Sequence, residues 1–394
     1  MNSKIKNRIY LDYAATTPLD PLVVKAMEPY FVTKFGNPNS PHGFGQEALA
    51  AVDLAREVLA RFCNCSMGEI IFTSGATESN NLAIRGVIRK YQQIIEKPEI
   101  ITTRIEHPSV LNTCRDMENQ NMKVKYLSTG SDGIVKIANF KKLITDSTAL
   151  VSVMYANNEI GTIQPIREIG KLLENINKNR KTPVLFHTDA VQAAGTLKCD
   201  VDYLHVDLLS LSGHKIYGPK GVGSLYVKNG TPIHGIQTGG DQEYTLRAGT
   251  VPVPNIVGFG KAVDLLIYHQ EQDKKRMEFL RNWTFEQIVK LMPDIKVSGD
   301  LNNSRLANNL HLRVDKINGG DVMFLLDTQA SIAVSTGSAC TAGAPEPSKV
   351  LTEIGLNQKQ SQEGVRVTLG RMTTKSEMKK FISCYIHAIN TLKE

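Results

Sequence analysis

The sequence predicts an α/β fold, a mainly parallel sheet with helices on both faces, joined to a smaller α+β domain. Three observations predict it. From Asp20 onward, short apolar runs alternate with amphipathic segments, as strand–helix units of a parallel sheet do. Five of these runs end in a cluster of polar and small residues. The alternation stops near Pro252-Val253-Pro254, where a long helical stretch leads into a C-terminal segment of mixed character. The expected partition is a large domain over 16–258 and a small domain built from 1–15 and 259–394.

Taken in order, Asp20-Pro21 reads as a helix cap with proline at the first helical position, opening a helix over Leu22–Phe35. Gln46–Phe62 places Leu49, Val52, Ala55 and Leu59 on one helical face. Strands are expected at Glu69–Thr73, Glu99–Thr103, Met122–Leu127, Ala149–Tyr155, Pro183–His187, Val206–Leu211 and Val222–Val227. A long helix is expected over Asn255–Lys290.

With 394 residues, the chain is long enough to bury a large core. Hydrophobic residues make up 41% and charged residues 22%, ordinary for a globular protein. No apolar run approaches the roughly 18 residues of a membrane-spanning helix, and Met1–Tyr10 lacks the apolar stretch of a secretory signal. A cytoplasmic protein with no membrane partner is expected. The net charge of +7 is mild, and no basic block is interleaved with aromatics, so direct nucleic-acid binding is not expected. The cysteines Cys63, Cys65, Cys114, Cys199, Cys340 and Cys384 are irregularly spaced, which suits free thiols in a reducing compartment. Cys63-Asn64-Cys65 has no second Cys or His pair at zinc-site spacing, so no metal is expected.

The chemistry gathers at the strand ends. After Ile70-Ile71-Phe72 comes Thr73-Ser74-Gly75-Ala76-Thr77-Glu78-Ser79-Asn80, and after Ile100–Thr103 comes Glu106-His107-Pro108. Val151–Tyr155 leads to Asn157-Asn158-Glu159, Val184–Phe186 to His187-Thr188-Asp189-Ala190, and Leu208–Leu211 to Ser212-Gly213-His214-Lys215. In a parallel α/β sheet the carboxyl ends of the strands share one edge, where ligands bind. Five clusters therefore converge on one crevice, and each suits pyridoxal phosphate (PLP). Gly75-Ala76-Thr77 opens a helix whose free N–H groups accept a phosphate. A carboxylate at Asp189 would keep a pyridine nitrogen protonated. Lys215, desolvated behind an apolar strand, is suited to a Schiff base. His107 would stack on the ring or move protons. Each also has an ordinary reading: a turn residue or helix cap for Asp189, a satisfied core histidine for His107, a surface lysine for Lys215. Their joint occurrence favours the cofactor.

The motifs resemble a family. Leu11-Asp12-Tyr13-Ala14-Ala15-Thr16-Thr17-Pro18, Phe35-Gly36-Asn37-Pro38, Thr73–Asn80, Asn157–Gly161 and Ser212–Pro219 are similar to those of the NifS/IscS-like cysteine desulfurases, class V of the PLP-dependent aminotransferases. Arg247-Ala248-Gly249-Thr250, Ser335–Thr341 and Arg366–Arg371 complete a series that runs from Tyr10 to the C-terminus. The resemblance implies a PLP-dependent transferase of fold type I that converts L-cysteine to L-alanine. In it Lys215 would carry the cofactor, Asp189 would pair with the pyridine nitrogen, Gln192 would bond the ring hydroxyl and His107 would stack on the ring. Ala76, Thr77, Ser212 and His214 would hold the phosphate, and Thr250 would reach it from the other subunit of a homodimer. Asn158 and Arg366 would bind the substrate carboxylate, a task that suits the planar fork of arginine. Cys340 would be the nucleophile: its thiolate attacks the substrate sulfur after α-proton loss, alanine leaves, and a persulfide remains for a sulfur-acceptor protein.

The residues argue for Cys340 independently. Ser335–Pro345 is small, polar and glycine-rich, the composition of a mobile loop, whereas Cys384 between Ile382 and Ile386 fits a helix core. Two departures from the family pattern stand out. Gly239-Gly240-Asp241-Gln242-Glu243-Tyr244-Thr245 stands where members often read Gly-Gly-Gly-Gln-Glu-Arg-Gly. The sequence given stops at Glu394, without the tail that the IscS branch usually adds to dock the iron–sulfur scaffold. The acceptor is therefore left open between such a scaffold, tRNA thiolation and another protein. The alternative chemistry is a selenocysteine lyase or another class V PLP enzyme.

Overall fold

A computed structural model describes residues 8–300, 304–337 and 347–394. In chain order its strands are β1 (Ile9–Tyr10), β2 (Ile70–Thr73), β3 (Glu99–Thr103), β4 (Lys123–Leu127), β5 (Thr148–Ser152) and β6 (Leu185–Asp189). They continue as β7 (Leu208–Ser212), β8 (Gly223–Val227), β9 (Lys296–Val297), β10 (Asn309–Arg313), β11 (Ile332–Ala333) and β12 (Gly364–Thr368). Seven form one sheet in the order β2-β8-β7-β6-β5-β3-β4. Strand β8 runs antiparallel to both of its neighbours, and every other pairing is parallel. The expected mainly parallel sheet is present. The carboxyl ends of β2, β3, β5, β6 and β7 share one edge.

Helices cover the sheet because its strands are apolar on both faces. Strands β3, β5, β6, β7 and β8 are buried along their whole length, which is why they do not read as regular apolar–polar alternation. At the edge, β4 has Lys123 exposed and Lys125 partly buried, a charged margin that discourages pairing with another chain.

The second sheet, β12-β10-β9, is antiparallel, and β1 pairs with β11 in parallel. Their apolar residues form a separate core with the helices Gly319–Ala330 and Lys375–Lys393, and that core includes Ile9 and Leu11. A helix over Val253–Leu291 joins the two cores. Ile256, Phe259, Ala262, Val263 and Leu266 pack in the core of the large sheet, and Met277, Leu280 and Ile288 pack in the second. The boundary expected at 258/259 falls inside this helix, whose packing partners change between Leu266 and Met277.

Two expectations are corrected. The helix expected over Leu22–Phe35 is broken into Pro21–Met27 and Pro29–Val32, because proline inside a helix lacks the N–H and clashes with the preceding turn. The fifth strand ends at Ser152, short of Tyr155, although Val153 N and Tyr155 N still donate to His187 O and Asp189 O at 3.1 and 2.8 Å.

Phe259 is fully buried and lies under the turn that carries Lys215, with a Cβ added at Gly213 meeting its ring at 3.3 Å. Phe259→Ala is expected to cost about 3–5 kcal/mol, and Phe259→Leu less, because it removes fewer buried atoms. Urea denaturation of the two variants against the wild type measures the difference. Equal midpoints would show that the ring does not hold this core.

Candidate active site

The shared strand edge opens on a cleft of about 740 Å³. Ala76, Thr77, His107, Asn158, Asp189, Gln192, Ser212, His214, Lys215 and Arg366 all line it. The local structure explains how each arrives. After β2 the chain turns at Gly75, whose φ of 150° and ψ of 173° lie in a region open essentially to glycine alone. That turn starts the Ala76–Tyr91 helix with the first N–H groups unpaired. Glu78 accepts from Ser74 N at 2.7 Å, and Thr73 Oγ1 lies 2.8 Å from Ser79 Oγ, which together fix the turn.

His107 caps the Pro108–Asn119 helix, its Nδ1 accepting from Ser109 N at 3.1 Å. Ser109 Oγ lies 2.8 Å from the same nitrogen. Asn80 Nδ2 donates to Ser109 Oγ at 2.8 Å and to Asp189 Oδ2 at 2.7 Å. These bonds leave Nδ1 as the acceptor and Nε2 as the protonated nitrogen. A chain of contacts thus runs from His107 through Ser109 and Asn80 to Asp189. Asp189 Oδ1 accepts from Val191 N at 3.0 Å, so its ordinary turn role and its place in the cleft coexist. The same holds for His107, which is both a satisfied cap and a wall of the cleft.

Lys215 ends the turn Gly213–Lys215 that follows β7. It is not a surface lysine: burial, reinforced by the Arg366 guanidinium, lowers its pKa to about 8. Its Nζ donates to Ala14 O and Ala15 O at 2.6 and 2.7 Å. Ala14 O also accepts from Gln192 Nε2 at 3.0 Å. Burial lowers His107, and the Lys215 charge adds to that while Asp189 opposes it. Burial and the Lys215 and Lys220 charges take His214 down to about 4. Both imidazoles are therefore neutral at pH 7. Beside them, burial pushes Glu106 up to about 8, with the Asp189 charge adding to it against the bonds from Met154 N and Thr103.

Arg366 enters from β12. Its guanidinium donates to Asn158 O at 2.9 Å and to Asp12 Oδ1 at 2.7 Å, while Nε has no protein partner. Its backbone pairs with Ser335, so Ser335 and Gly337 also line the cleft.

Among the described residues, one predicted site residue, Thr250, is not part of this lining. It is exposed. Cys340 lies outside the described residues. Of the other thiols, Cys63 is buried and Cys65 partly buried, both with raised pKa from burial, and Cys384 is partly buried in the last helix. Among the described residues no group of three or more His, Cys, Asp or Glu could hold a metal ion. Sequence reasoning missed Asn80 and Ser109. The only signal was position: Asn80 closes the phosphate motif, and Ser109 stands two residues after His107.

The donor set fits PLP. A helix start with free N–H groups faces the cleft, as do a buried amine and a carboxylate held by Asn80. Such a set suits a phosphate, an aldehyde and a pyridine nitrogen respectively.

Comparison with known proteins agrees. The aminotransferase class-V family model matches residues 9–381. The cysteine desulfurase IscS of Rickettsia conorii (strain ATCC VR-613 / Malish 7) is 42% identical over 400 residues, covering 100% of this chain and 95% of that protein. That of Dictyoglomus turgidum (strain DSM 6724 / Z-1310) is 42% identical over 374 residues, covering 95% and 92%. A solved NifS-like protein superposes with a TM-score of 0.90 at 36% identity, covering 98% of this chain and 100% of that one. SspA in complex with cysteine superposes with a TM-score of 0.80 at 36% identity, covering 93% and 100%. The chain belongs to the class-V aminotransferase family, among its NifS/IscS-like cysteine desulfurases.

Proposed function

We propose that this chain is a PLP-dependent cysteine desulfurase that converts L-cysteine to L-alanine and retains the sulfur as a persulfide on Cys340. The observation that carries this reading is the convergence of Lys215, Asp189, His107 and Arg366 on one cleft, in a chain similar throughout its length to IscS proteins. When bound, PLP supplies an electron sink that makes the α-hydrogen of an attached amino acid acidic. The chain supplies the rest. Ala76 and Thr77 with Ser212 and His214 would hold the phosphate, Gln192 the ring hydroxyl, and Asp189 the pyridine nitrogen. His107, neutral and fixed through Nδ1, would stack on the ring. Lys215 would hold the cofactor through its neutral amine, and its Nζ would accept or return a proton.

Asn158 and Arg366, which both line the cleft, would receive the substrate carboxylate. The Cys340 thiolate attacks the substrate sulfur. An S–S bond forms as the Cβ–S bond breaks, and the carbon takes up a proton to leave as alanine. The thiol is oxidised to the persulfide level as the substrate carbon is reduced, so no outside oxidant is needed. Ser335 and Gly337, shortly before Cys340 in the chain, support this placement because both line the cleft. The persulfide would pass to a sulfur-acceptor protein of iron–sulfur assembly or tRNA thiolation. Thr250 would reach the phosphate of the partner subunit, which makes the working unit a homodimer. No described helix is long and apolar enough to cross a membrane. The free thiols Cys63, Cys65, Cys114, Cys199 and Cys384 suit the reducing cytoplasm, the address we propose.

Lys215→Ala is expected to lose the visible absorption of bound PLP and all cysteine-dependent sulfide release. With the wild-type apoenzyme, the rate of PLP incorporation, trapped by borohydride, should rise with pH and level off above about 8. Only the neutral amine reacts, and raising the pH through the lowered pKa produces it. A rate that keeps climbing toward the ordinary lysine range would remove the desolvation argument.

Cys340→Ser tests the proposed chemistry directly. A serine hydroxyl cannot carry a persulfide and is far less nucleophilic at neutral pH. PLP binding and the spectral shift on adding cysteine should survive, while alanine formation collapses. Mass spectrometry of cysteine-treated wild type should place the extra sulfur on Cys340 and on none of the other five cysteines. Near-normal alanine production by the variant would point instead to a lyase that needs no enzyme thiol.

A further inference from the structure

Strand β2 is the outer strand of the large sheet, and it delivers the chain to the phosphate turn at Gly75. Its outer backbone groups are taken by two side chains remote in sequence. Glu243 Oε2 accepts from Phe72 N at 2.7 Å, and Arg56 donates to Ile70 O. The two side chains also bind each other in a two-pronged ion pair at 2.7 and 2.9 Å, with only 7% and 4% of their side chains exposed. Arg56 is sandwiched between the rings of Phe72 and Tyr244, at 4.7 and 5.4 Å from their centroids.

The backbone around Glu243 is strained. Glu243, Tyr244 and Thr245 have φ of 46°, 57° and 68°, a left-handed run that costs most for a β-branched residue such as threonine. Thr245 stands where the family pattern has glycine. Such a backbone persists only when its surroundings over-determine it. Here they do: Glu243 grips β2, and Gln242 Oε1 accepts from Gly249 N at 2.9 Å. Gln237 Nε2 donates to Ala248 O at 3.1 Å. Arg247 Nε donates to Glu78 Oε1 at 3.0 Å, and Glu78 also receives Ser74 N from the phosphate turn. The strap from Gln242 to Thr250 is thus fixed against its own subunit's phosphate turn, while Thr250 at its end is exposed.

We propose that Arg56 and Glu243 are positioning residues for cofactor binding across the dimer: their ion pair holds the strained strap so that Thr250 meets the phosphate bound in the partner subunit. This rests on the reading that Thr250 completes the partner's site. A purely structural role, closing the edge of β2, would lower stability without acting through Thr250.

The test is the dissociation constant of PLP from the dimeric enzyme, measured for the wild type, Glu243→Gln, Thr250→Ala and the double variant, with urea midpoints and sedimentation in parallel. Each single variant is expected to bind PLP about tenfold more weakly, the scale of one charge-assisted hydrogen bond. The double variant should be no weaker than the weaker single one, because both act on the same contact. If Thr250→Ala weakens binding and Glu243→Gln does not, or if the two losses multiply, the positioning role is overturned and the reading of Thr250 stands. If Thr250→Ala leaves binding unchanged, that reading fails and the positioning role fails with it. Should Glu243→Gln not fold, Arg56→Lys carries the same comparison, since it keeps the charge and loses the two-pronged contact.

Discussion

Strands β3, β5, β6 and β7 are buried along both faces, and the site depends on that constraint. A strand covered by helices on both sides cannot place a polar side chain along its length without finding it a buried partner. His187 shows the cost of an exception: it is fully buried on β6 and needs Ser152 Oγ at 2.8 Å and Ser210 Oγ at 3.0 Å on the two flanking strands. Burial still lowers its pKa to about 4. Reactive groups are therefore confined to the strand ends, and parallel pairing brings those ends to one edge. Asp189, Lys215, His107 and Asn158 share a cleft because their strands are parallel.

The cleft is also electrostatically unfinished. Burial depresses Lys215, His107 and His214, with the Arg366 charge adding to it at Lys215 and the Lys215 charge adding to it at both imidazoles, so the site disfavours added positive charge. On the proposed reading, a phosphate at the helix start and a carboxylate at Arg366 would offset that positive charge. Arg366 already shares its charge with Asp12 at 2.7 Å. A substrate carboxylate bound there, as we propose, would join an existing pair and would not meet a naked cation.

How much of this was legible follows from the kind of signal each residue leaves. The strand ends were readable because an apolar run closing in polar residues is local, and the boundaries of β3 match the sequence reading. Asn80 and Ser109 were not. Each is an unremarkable helical residue in sequence, and it gains its role only where the Ala76–Tyr91 and Pro108–Asn119 helices meet over Asp189. Arg56 and Glu243 are 187 residues apart, and nothing local joins them. The break at Pro29 was legible in principle, since proline has no N–H to give, but the apolar pattern on either side of it masked the interruption. Thr250 acts, on our reading, on a neighbouring subunit, and such a partner leaves no trace in the periodicity of one chain.

Lys215 shows how the N-terminal segment prepares the site. Its ammonium donates to Ala14 O and Ala15 O, yet anchoring the cofactor requires the neutral amine, which must leave at least part of that contact. A buried carbonyl stripped of its donor would oppose the change by about 1–3 kcal/mol. Neither carbonyl is left in that condition. Ala14 is buried but keeps the Gln192 Nε2 donor at 3.0 Å, and Ala15 is exposed, so water replaces the lysine there. The segment itself stays in place through Thr17, whose N and Oγ1 both donate to His214 O at 3.0 Å and whose Oγ1 accepts from Tyr217 N at 2.8 Å. Lys215 can therefore exchange its proton and its partners while the turn that carries it remains fixed, as the proposed roles of anchor and base require.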